Sequence, residues 1–422
     1  MRQNPGTPTN TAHPFRSLRE RNVRIFFGGI AISNAGTWAQ LTTLILIVRR
    51  LGGGGVELGI LTACQFLPIL LFGLYAGAVA DRVDRHRRTM QLQLLMGAHA
   101  LVLAAIDFLD YESIPVLYAM TFILGFLFAF DNPTRRTMTT ELVPPEQLAN
   151  VLALSTSVMT GSRMFGPALG ALLASSVGTA WVFLLNGATY LLFLFAMTSM
   201  DRSRFYTIAR GKKSATPVRD GLREVWSDPV LRITIVAFAL ISTFAFNTAV
   251  QVPLLITERL GESDELFGYL LSAMSVGNVV GSLFVARLVV VSHRFMYACG
   301  TLLAVSMAAF SFTTSTVWAF VLIIPVGIGL TSYLNSSNII VQQRTSPEIR
   351  SRVLALLGVV FLGTTPIGGP ITGLIGDTFG AVWANLYGAL ITGVVVIVAL
   401  VMLRRTTGTI DPPESAQIRV RR

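Results

Sequence analysis

The stretch GAVADRVDRHRR, residues 77–88, places six charged side chains between two long apolar runs. Such a group can be a basic patch for nucleic acid, a solvated turn, or a set of ion pairs between helices. A carboxylate at a helix end can face the positive N-terminus of a neighbouring helix, and we expect Asp81 to do so. The arginines can pair with a carboxylate of another helix, for which Asp131 is the nearest candidate. This latch group comprises Gly77, Asp81, Arg82, Arg85, Arg88 and Asp131.

A second candidate, Arg163, stands inside an apolar run and is followed by Gly166, Pro167 and Gly170. A cation at the centre of a membrane helix costs about 2.5–3.5 kcal/mol, so such a residue faces a cavity or a partner. Two interpretations of Arg163 stay open: it lines a path through the protein, or it donates to backbone carbonyls as a structural residue. Small residues one turn apart allow a neighbouring helix to approach closely.

The elements that position these residues follow from the composition. The chain has 422 residues, of which 52% are hydrophobic and 13% charged, whereas soluble chains carry about 25% charged residues. The apolar excess recurs along the sequence in runs of the length that a membrane-spanning helix needs. We therefore predict an all-α polytopic membrane protein with twelve spans. These lie near residues 25–48, 58–80, 89–109, 115–136, 151–174, 179–199, 233–256, 266–289, 295–313, 317–340, 353–375 and 382–403.

The basic residues between the spans predict the orientation. If the N-terminus is cytoplasmic, only Arg49, Arg50 and Arg259 of the 33 Lys and Arg fall outside, Arg163 lies within a span, and the rest fall inside. This is the distribution of the positive-inside rule, with both termini cytoplasmic. The net charge of +11 is then explained by topology, and a nucleic-acid partner is not expected. The polar N-terminal tail is not expected to be a cleaved signal peptide.

An internal repeat divides the chain into two related halves. PEQLANVLAL at 145–154 matches PEIRSRVLAL at 347–356, and glycine-rich segments follow both copies. Two halves of the same orientation, with a central site between them, are a transporter architecture. The predicted divisions are an N-terminal half at 1–200, a cytoplasmic linker at 201–232 and a C-terminal half at 233–422.

Four helices contain two glycines one turn apart, which predicts close-packed seams. These pairs are Gly73–Gly77, Gly166–Gly170, Gly277–Gly281 and Gly369–Gly373. The end of the linker, GLREVWSDPVLR, is interpreted either as a short interfacial helix or as solvated chain.

These features together resemble the major facilitator superfamily. The latch group is similar to its loop motif A, and Gly166-Pro167-x-x-Gly170 to the antiporter motif C. RNVRIFFGGIAISNAGTWAQ (21–40) and DNPTRRTMTTELVPPEQLANVLAL (131–154) resemble the branch of drug:proton antiporters that contains the enterobactin exporter and macrolide efflux proteins. Asp84 departs from the pattern, since the family usually has glycine there.

The resemblance implies a latch that holds the cytoplasmic side shut in one of two conformations. It also implies a cavity lined by the first, fourth, seventh and tenth spans. On these spans the polar and aromatic candidates are Asn34, Trp38, Gln40, Asn247, Gln251, Tyr333, Asn335 and Asn338. Each of them can instead serve as an interhelical hydrogen-bonding group.

The expected function is secondary export of amphipathic small molecules, drugs or siderophore-like metabolites, by alternating access and proton antiport. The expected location is the bacterial cytoplasmic membrane, the expected state a monomer, and the expected partners a small-molecule substrate and the lipid bilayer. Uptake or uniport of a metabolite, and a membrane sensor or scaffold without transport, are the alternatives. The proton-carrying residue is unresolved among Glu57, His99, Asp107 and Asp131.

Enzymatic chemistry and primary pumping have no support in the sequence. The only GK run, ARGKKSATP, lacks the glycine and the hydroxyl residue that a phosphate-binding loop requires. No zinc-protease motif, nucleophile elbow or Cys/His cluster occurs, so no cofactor or metal is expected. The proton gradient is the expected source of energy.

Overall fold

The computed structural model describes residues 16–80, 83–206, 217–288, 290–345 and 350–411. Asp81 and Arg82 of the latch group lie outside the described residues. The described chain is built from α-helices joined by short connections, as the apolar runs predict.

The first half contains six long helices. Their bounds are Arg21–Arg50 (α1), Gly55–Ala80 (α2), Arg85–Phe108 (α3), Ile114–Glu141 (α4), Leu148–Val177 (α5) and Thr179–Thr198 (α6). A shorter helix, Pro217–Ser227 (α7), lies in the predicted linker.

The described residues of the second half form eight α-helices. Their bounds are Pro229–Ala245 (α8), Thr248–Leu255 (α9), Leu266–Ala286 (α10), His293–Ser311 (α11), Thr316–Arg344 (α12), Arg350–Gly363 (α13), Thr365–Phe379 (α14) and Ala381–Thr407 (α15). The predicted seventh span is interrupted between α8 and α9, and the predicted eleventh span between α13 and α14. Pro366 explains the second interruption, because proline belongs in the first turn of a new helix.

Eleven helical segments of the described chain are long and apolar enough to cross a membrane. The remaining helix, α5, has thirty residues, which is also long enough to cross. It carries Arg163 and several serines and glycines, which lower its hydropathy. The prediction of an all-α polytopic membrane protein is therefore confirmed.

Two glycine turns occupy corresponding places in the two halves. Gly178 joins α5 to α6 at φ 100°, and Gly380 joins α14 to α15 at φ 88°. A residue with a Cβ rarely adopts a positive φ, so both turns need glycine. They are separated by the same 202 positions as the two PE segments, so the repeat extends to backbone conformation.

We name the two ends of the bundle by their composition. The basic end holds the start of α1 and the end of α15, with Arg404 and Arg405 in the last turn of α15. The far end holds the connection between α1 and α2 and that between α14 and α15.

Glycines bring the two halves into backbone contact near the far end. A Cβ at Gly373 in α14 would overlap the carbonyl of Gly55 in α2, and a Cβ at Gly59 would overlap Gly369. Gly268 of α10 lies against Pro167 of α5 in the same way. We call the contact between α2 and α14 the glycine seam.

Two of the other predicted glycine pairs make their close contacts within a single half. Gly166 and Gly170 pack against Trp38 and Ala39 of α1 within the first half. Gly277 and Gly281 pack against Ile324 and Ile328 of α12 within the second half.

The expectation of a seam at Gly73–Gly77 was wrong. A Cβ at Gly77 would meet nothing within 4 Å, and one at Gly73 would meet only a side chain of its own helix. The contact that α2 makes with the other half therefore lies toward the far end.

Replacement of Gly373 by alanine tests the glycine seam. The added methyl group forces α2 and α14 apart, and overpacking of this kind costs about 1–3 kcal/mol. We expect a lower midpoint of thermal unfolding in detergent. The matched control is Gly393→Ala in α15, where a Cβ meets nothing within 4 Å. Equal midpoints in the two variants would contradict the proposed contact.

Candidate functional site

A carboxylate of the second half caps a helix of the first half at the far end. The two oxygens of Asp377, in the last turn of α14, accept the backbone N–H groups of Gly55 at 2.6 Å and Val56 at 2.8 Å. The first N–H groups of a helix have no partner within it, and its N-terminus is partially positive. The carboxylate of Asp377 supplies hydrogen-bond acceptors for the free N–H groups of α2 and a negative charge for its positive end. It thereby holds the two halves together at the far end.

Arg49, at the end of α1, makes a second contact between the halves. Its Nη2 donates to the hydroxyl of Thr257 at 2.9 Å, and its Nε lies 3.4 Å from Asp264. Burial raises the pKa of Asp264 above its usual value, and the guanidinium of Arg49 only partly opposes that shift. The far end is thus closed by a capped helix and an ion pair.

The arginines at the basic end bond within their own half. Arg85, in the first turn of α3, pairs with Glu141 at the end of α4. The guanidinium of Arg88 lies 5.6 Å from the ring centroid of Phe130. The expected pairing of these arginines with Asp131 is therefore absent among the residues that the structure describes, and Glu141 takes that place.

Asp84, which departs from the family pattern, has a local role. Its carboxylate accepts the backbone N–H of Arg87 at 3.0 Å and thereby caps α3. Burial raises the pKa of Asp84, but the hydrogen bonds from Arg87 and Arg202 outweigh burial and hold it below the usual value. Aspartate at this position therefore begins the third helix instead of forming a glycine turn.

Contacts between the halves are unevenly distributed. Between residues that the structure describes, the hydrogen bonds that join the halves lie at the far end or near mid-bundle. The deepest of them runs from the hydroxyl of Ser275 to the carbonyl of Arg163, at 3.3 Å. The two halves are therefore bonded at one end of the bundle.

Asp131 is fully buried at the centre of a polar cluster in the first half. Its Oδ2 lies 2.5 Å from Nε of Arg135 one turn along α4, and its Oδ1 accepts Nε2 of Gln93 in α3 at 3.1 Å. Arg135 also donates to the side-chain oxygen of Asn34 in α1, at 3.0 Å. The cluster thus connects three helices around one ion pair.

Arg163 occupies a different environment. Its guanidinium lies 5.1 Å from the ring centroid of Trp38 in α1, a distance at which a cation is attracted to the ring. Unlike Asp131, the residue is exposed. Arg163 and Trp38 therefore form an aromatic–cation pair at an accessible surface near the middle of the bundle.

Four of the eight cavity candidates are buried inside their own half. Gln40 accepts Nδ2 of Asn186 at 2.8 Å, and Gln251 donates to the carbonyl of Ala384 at 3.1 Å. Asn247 donates to the carbonyl of Thr243 at 2.8 Å. Tyr333 has no exposed surface and stacks on Phe238. In this structure these side chains connect helices, so the expectation that they line a cavity does not fit their placement.

The other candidates are half-buried. Asn34 and Trp38 contact the arginines described above. Asn335 donates to the hydroxyl of Ser282 at 3.3 Å, and Asn338 to the carbonyl of Leu334 at 2.8 Å.

Sequence reasoning missed Asp377, Glu141 and the role of Arg49. A signal for Asp377 was present, because it is the only acidic residue between the glycines of GPITGLIGDTFG, and the first repeat has serine at that place. Glu141 and Arg49 stand at predicted span ends and gave no comparable signal.

Two related helical halves of membrane-spanning length, joined by hydrogen bonds at the far end and near mid-bundle, have the architecture of a membrane transporter. The model of the transmembrane secretion effector family, MFS_3, matches residues 12–417. The chain therefore belongs to this family of major facilitator transporters and is not an enzyme.

Relatives with named activities are similar over most of the chain. The multidrug efflux pump Tap of Mycolicibacterium fortuitum is 26% identical, over 82% of this chain and 87% of that protein. Macrolide efflux protein A of Streptococcus pyogenes is 25% identical, over 89% and 94%. The staphyloferrin A transporter of Staphylococcus aureus is 20% identical, over 85% and 90%.

A solved structure shares the fold. A bacterial homologue of the human lysosomal transporter Spinster, in an inward-facing and occupied conformation, superposes with a TM-score of 0.70. The two sequences are 15% identical, and the match covers 94% of this chain and 98% of that one.

Replacement of Asp377 by asparagine tests the cap at the far end. The variant loses the charge that faces the helix N-terminus and one of two acceptors, so we expect the far end to open more often. The reporter is Thr62→Cys, a buried position beside Gly369, in a chain whose Cys64 and Cys299 are replaced. In Asp377→Asn, the cysteine at position 62 should react with a membrane-impermeant maleimide several-fold faster than in the parent chain.

The control is Glu262→Gln, because Glu262 bonds Thr316 within the second half. It should leave the reaction rate unchanged. Equal rates in Asp377→Asn and its parent would contradict the role of the cap.

Proposed function

We propose that this protein is a proton-driven exporter of amphipathic small molecules that works by alternating access. The observation that carries the proposal is that, between described residues, the hydrogen bonds joining the halves lie at the far end and near mid-bundle. Such contacts favour one conformation and must break in another, as alternating access requires. In this conformation the substrate enters from the basic end.

The basic end is cytoplasmic in this proposal. The positive-inside rule places the arginine-rich connections on that side, together with both termini. The transporter then lies in the bacterial cytoplasmic membrane, as a monomer, and receives its substrate from the cell interior. No cofactor or nucleic acid takes part, and the proton gradient supplies the energy.

Asp131 is the proton carrier in the proposed mechanism. It is a fully buried carboxylate within a spanning helix, and its charge is balanced by Arg135. Protonation of Asp131 removes that balance, so Arg135 must find other acceptors and α4 moves relative to α1 and α3. A buried ion pair that loses one charge is strongly destabilised, which makes the cluster a two-state element.

Other side chains near the cluster affect the protonation of Asp131. Gln93 of α3 bonds the carboxylate directly, and Tyr190 of α6 donates to or accepts from Thr37 at 2.7 Å. Arg88 of α3 and Tyr75 of α2 pack on the neighbouring Phe130. Arg135 is the only cation in ionic contact with Asp131 among the described residues.

Substrate class is inferred from the relatives. Pumps for drugs and for macrolides, and a transporter of staphyloferrin A, are similar over most of this chain. These relatives support an amphipathic drug or a siderophore-like metabolite as the exported molecule.

Transport in proteoliposomes tests the proposal. We expect a pH gradient to drive accumulation of a dye substrate and a protonophore to abolish it. Asp131→Asn should remove the response to the gradient, because the amide cannot carry a proton. The matched control Asp110→Asn changes an exposed carboxylate at a positive φ that asparagine also tolerates, and it should keep full activity. Downhill flux that ignores protonophores, or binding without flux, would contradict proton-driven export.

A further inference from the structure

Arg163 forms no ion pair with any carboxylate that the structure describes. It lies near the middle of α5. Within the part of the chain that the structure describes, its guanidinium makes one contact, a cation–π contact with the ring of Trp38. A charge at this depth must face a partner or an aqueous cavity. Its side chain is exposed and its carbonyl accepts the hydroxyl of Ser275 in α10, which fits a cavity-facing position between the halves.

The register of α5 shows where that cavity begins. Thr156, Met159 and Arg163 share one face of the helix, and all three are exposed. One turn further toward the far end, Pro167 continues this face and is covered by Gly268 of α10. Arg163 therefore lies one turn on the basic side of the closed contact between the halves, where the exposed residues of this face begin.

Three acidic groups on the helices of the first half have partners other than Arg163. Asp131 is engaged by Arg135. Asp107 is bound by Arg50 at 2.8 Å at the far end, and Glu57 accepts the N–H of Gly54 there. Within the described residues, Arg163 thus carries a positive charge that no ion pair balances, beside an aromatic ring.

We propose that Arg163 and Trp38 form the subsite for the anionic group of the transported molecule. The guanidinium binds a carboxylate, and the indole ring packs against the adjacent apolar part. Guanidinium is suited to this role because its planar donors match carboxylate geometry. This inference rests on the proposed function. It narrows the class of transported molecules to amphipathic anions.

Two fluorescent probes with the same ring and opposite charge test the subsite. Dansylglycine carries a carboxylate, and dansylcadaverine carries an ammonium group. Binding to the full chain in detergent is measured by fluorescence anisotropy. The wild-type protein should bind dansylglycine more tightly than dansylcadaverine. Arg163→Gln should weaken dansylglycine at least tenfold, as expected for loss of a charge-assisted hydrogen bond, and leave dansylcadaverine unchanged.

Two further variants separate binding from folding. Arg163→Lys keeps the charge but loses the planar donors, so its affinity for dansylglycine should lie between those of Arg163→Gln and the wild-type protein. Arg136→Gln removes an exposed positive charge from the basic end of α4 and should change neither probe.

Three results would overturn the subsite: equal affinity of the wild-type protein for both probes, an equal loss of both in Arg163→Gln, or no rescue by lysine. Binding in detergent does not depend on flux. A protein that binds dansylglycine through Arg163 but does not move it in proteoliposomes therefore retains the subsite and refutes the export.

Discussion

Backbone contact between α2 and α14 is the constraint on which the rest of the structure depends. Gly55 and Gly59 face Gly373 and Gly369, so the two helices approach without side chains between them. Asp377 then reaches the free N–H groups at the start of α2, and Arg49 reaches the second half beside it. Between the residues that the structure describes, no hydrogen bond joins the two halves at the basic end.

The two arginines near the middle of the bundle, Arg135 and Arg163, differ in how their charge is balanced. Arg135 is neutralised inside the first half by Asp131, so this pair is stable without any ligand. Arg163 lies at the boundary between the halves, and among the described residues its guanidinium contacts only Trp38. In the proposed mechanism the first arginine responds to protonation of Asp131, whereas the second binds the anionic group of the substrate. The cluster and the subsite are on neighbouring helices, α4 and α5.

The sequence predicts the helices well because apolar length and glycine turns are local properties. The twelve apolar runs correspond to the observed helices, and the positive φ of Gly178 and Gly380 follows the internal repeat. Partners across the bundle depend on helix rotation, which an almost uniformly apolar run does not reveal. For that reason Tyr333 was expected in a cavity and lies in a core, and Glu141 was not foreseen as the partner of Arg85.

Reciprocal movement of the two ends is the central claim, and paired spin-label distances measure it directly. One pair is placed at exposed far-end positions, Leu109 and Phe312, and the other at exposed basic-end positions, Arg87 and Val290. When Asp377→Asn weakens the far-end cap, the distance between the labels at Leu109 and Phe312 should lengthen. The distance between the labels at Arg87 and Val290 should shorten in the same sample. A far-end distance that lengthens while the basic-end distance stays fixed would contradict alternating access around the glycine seam.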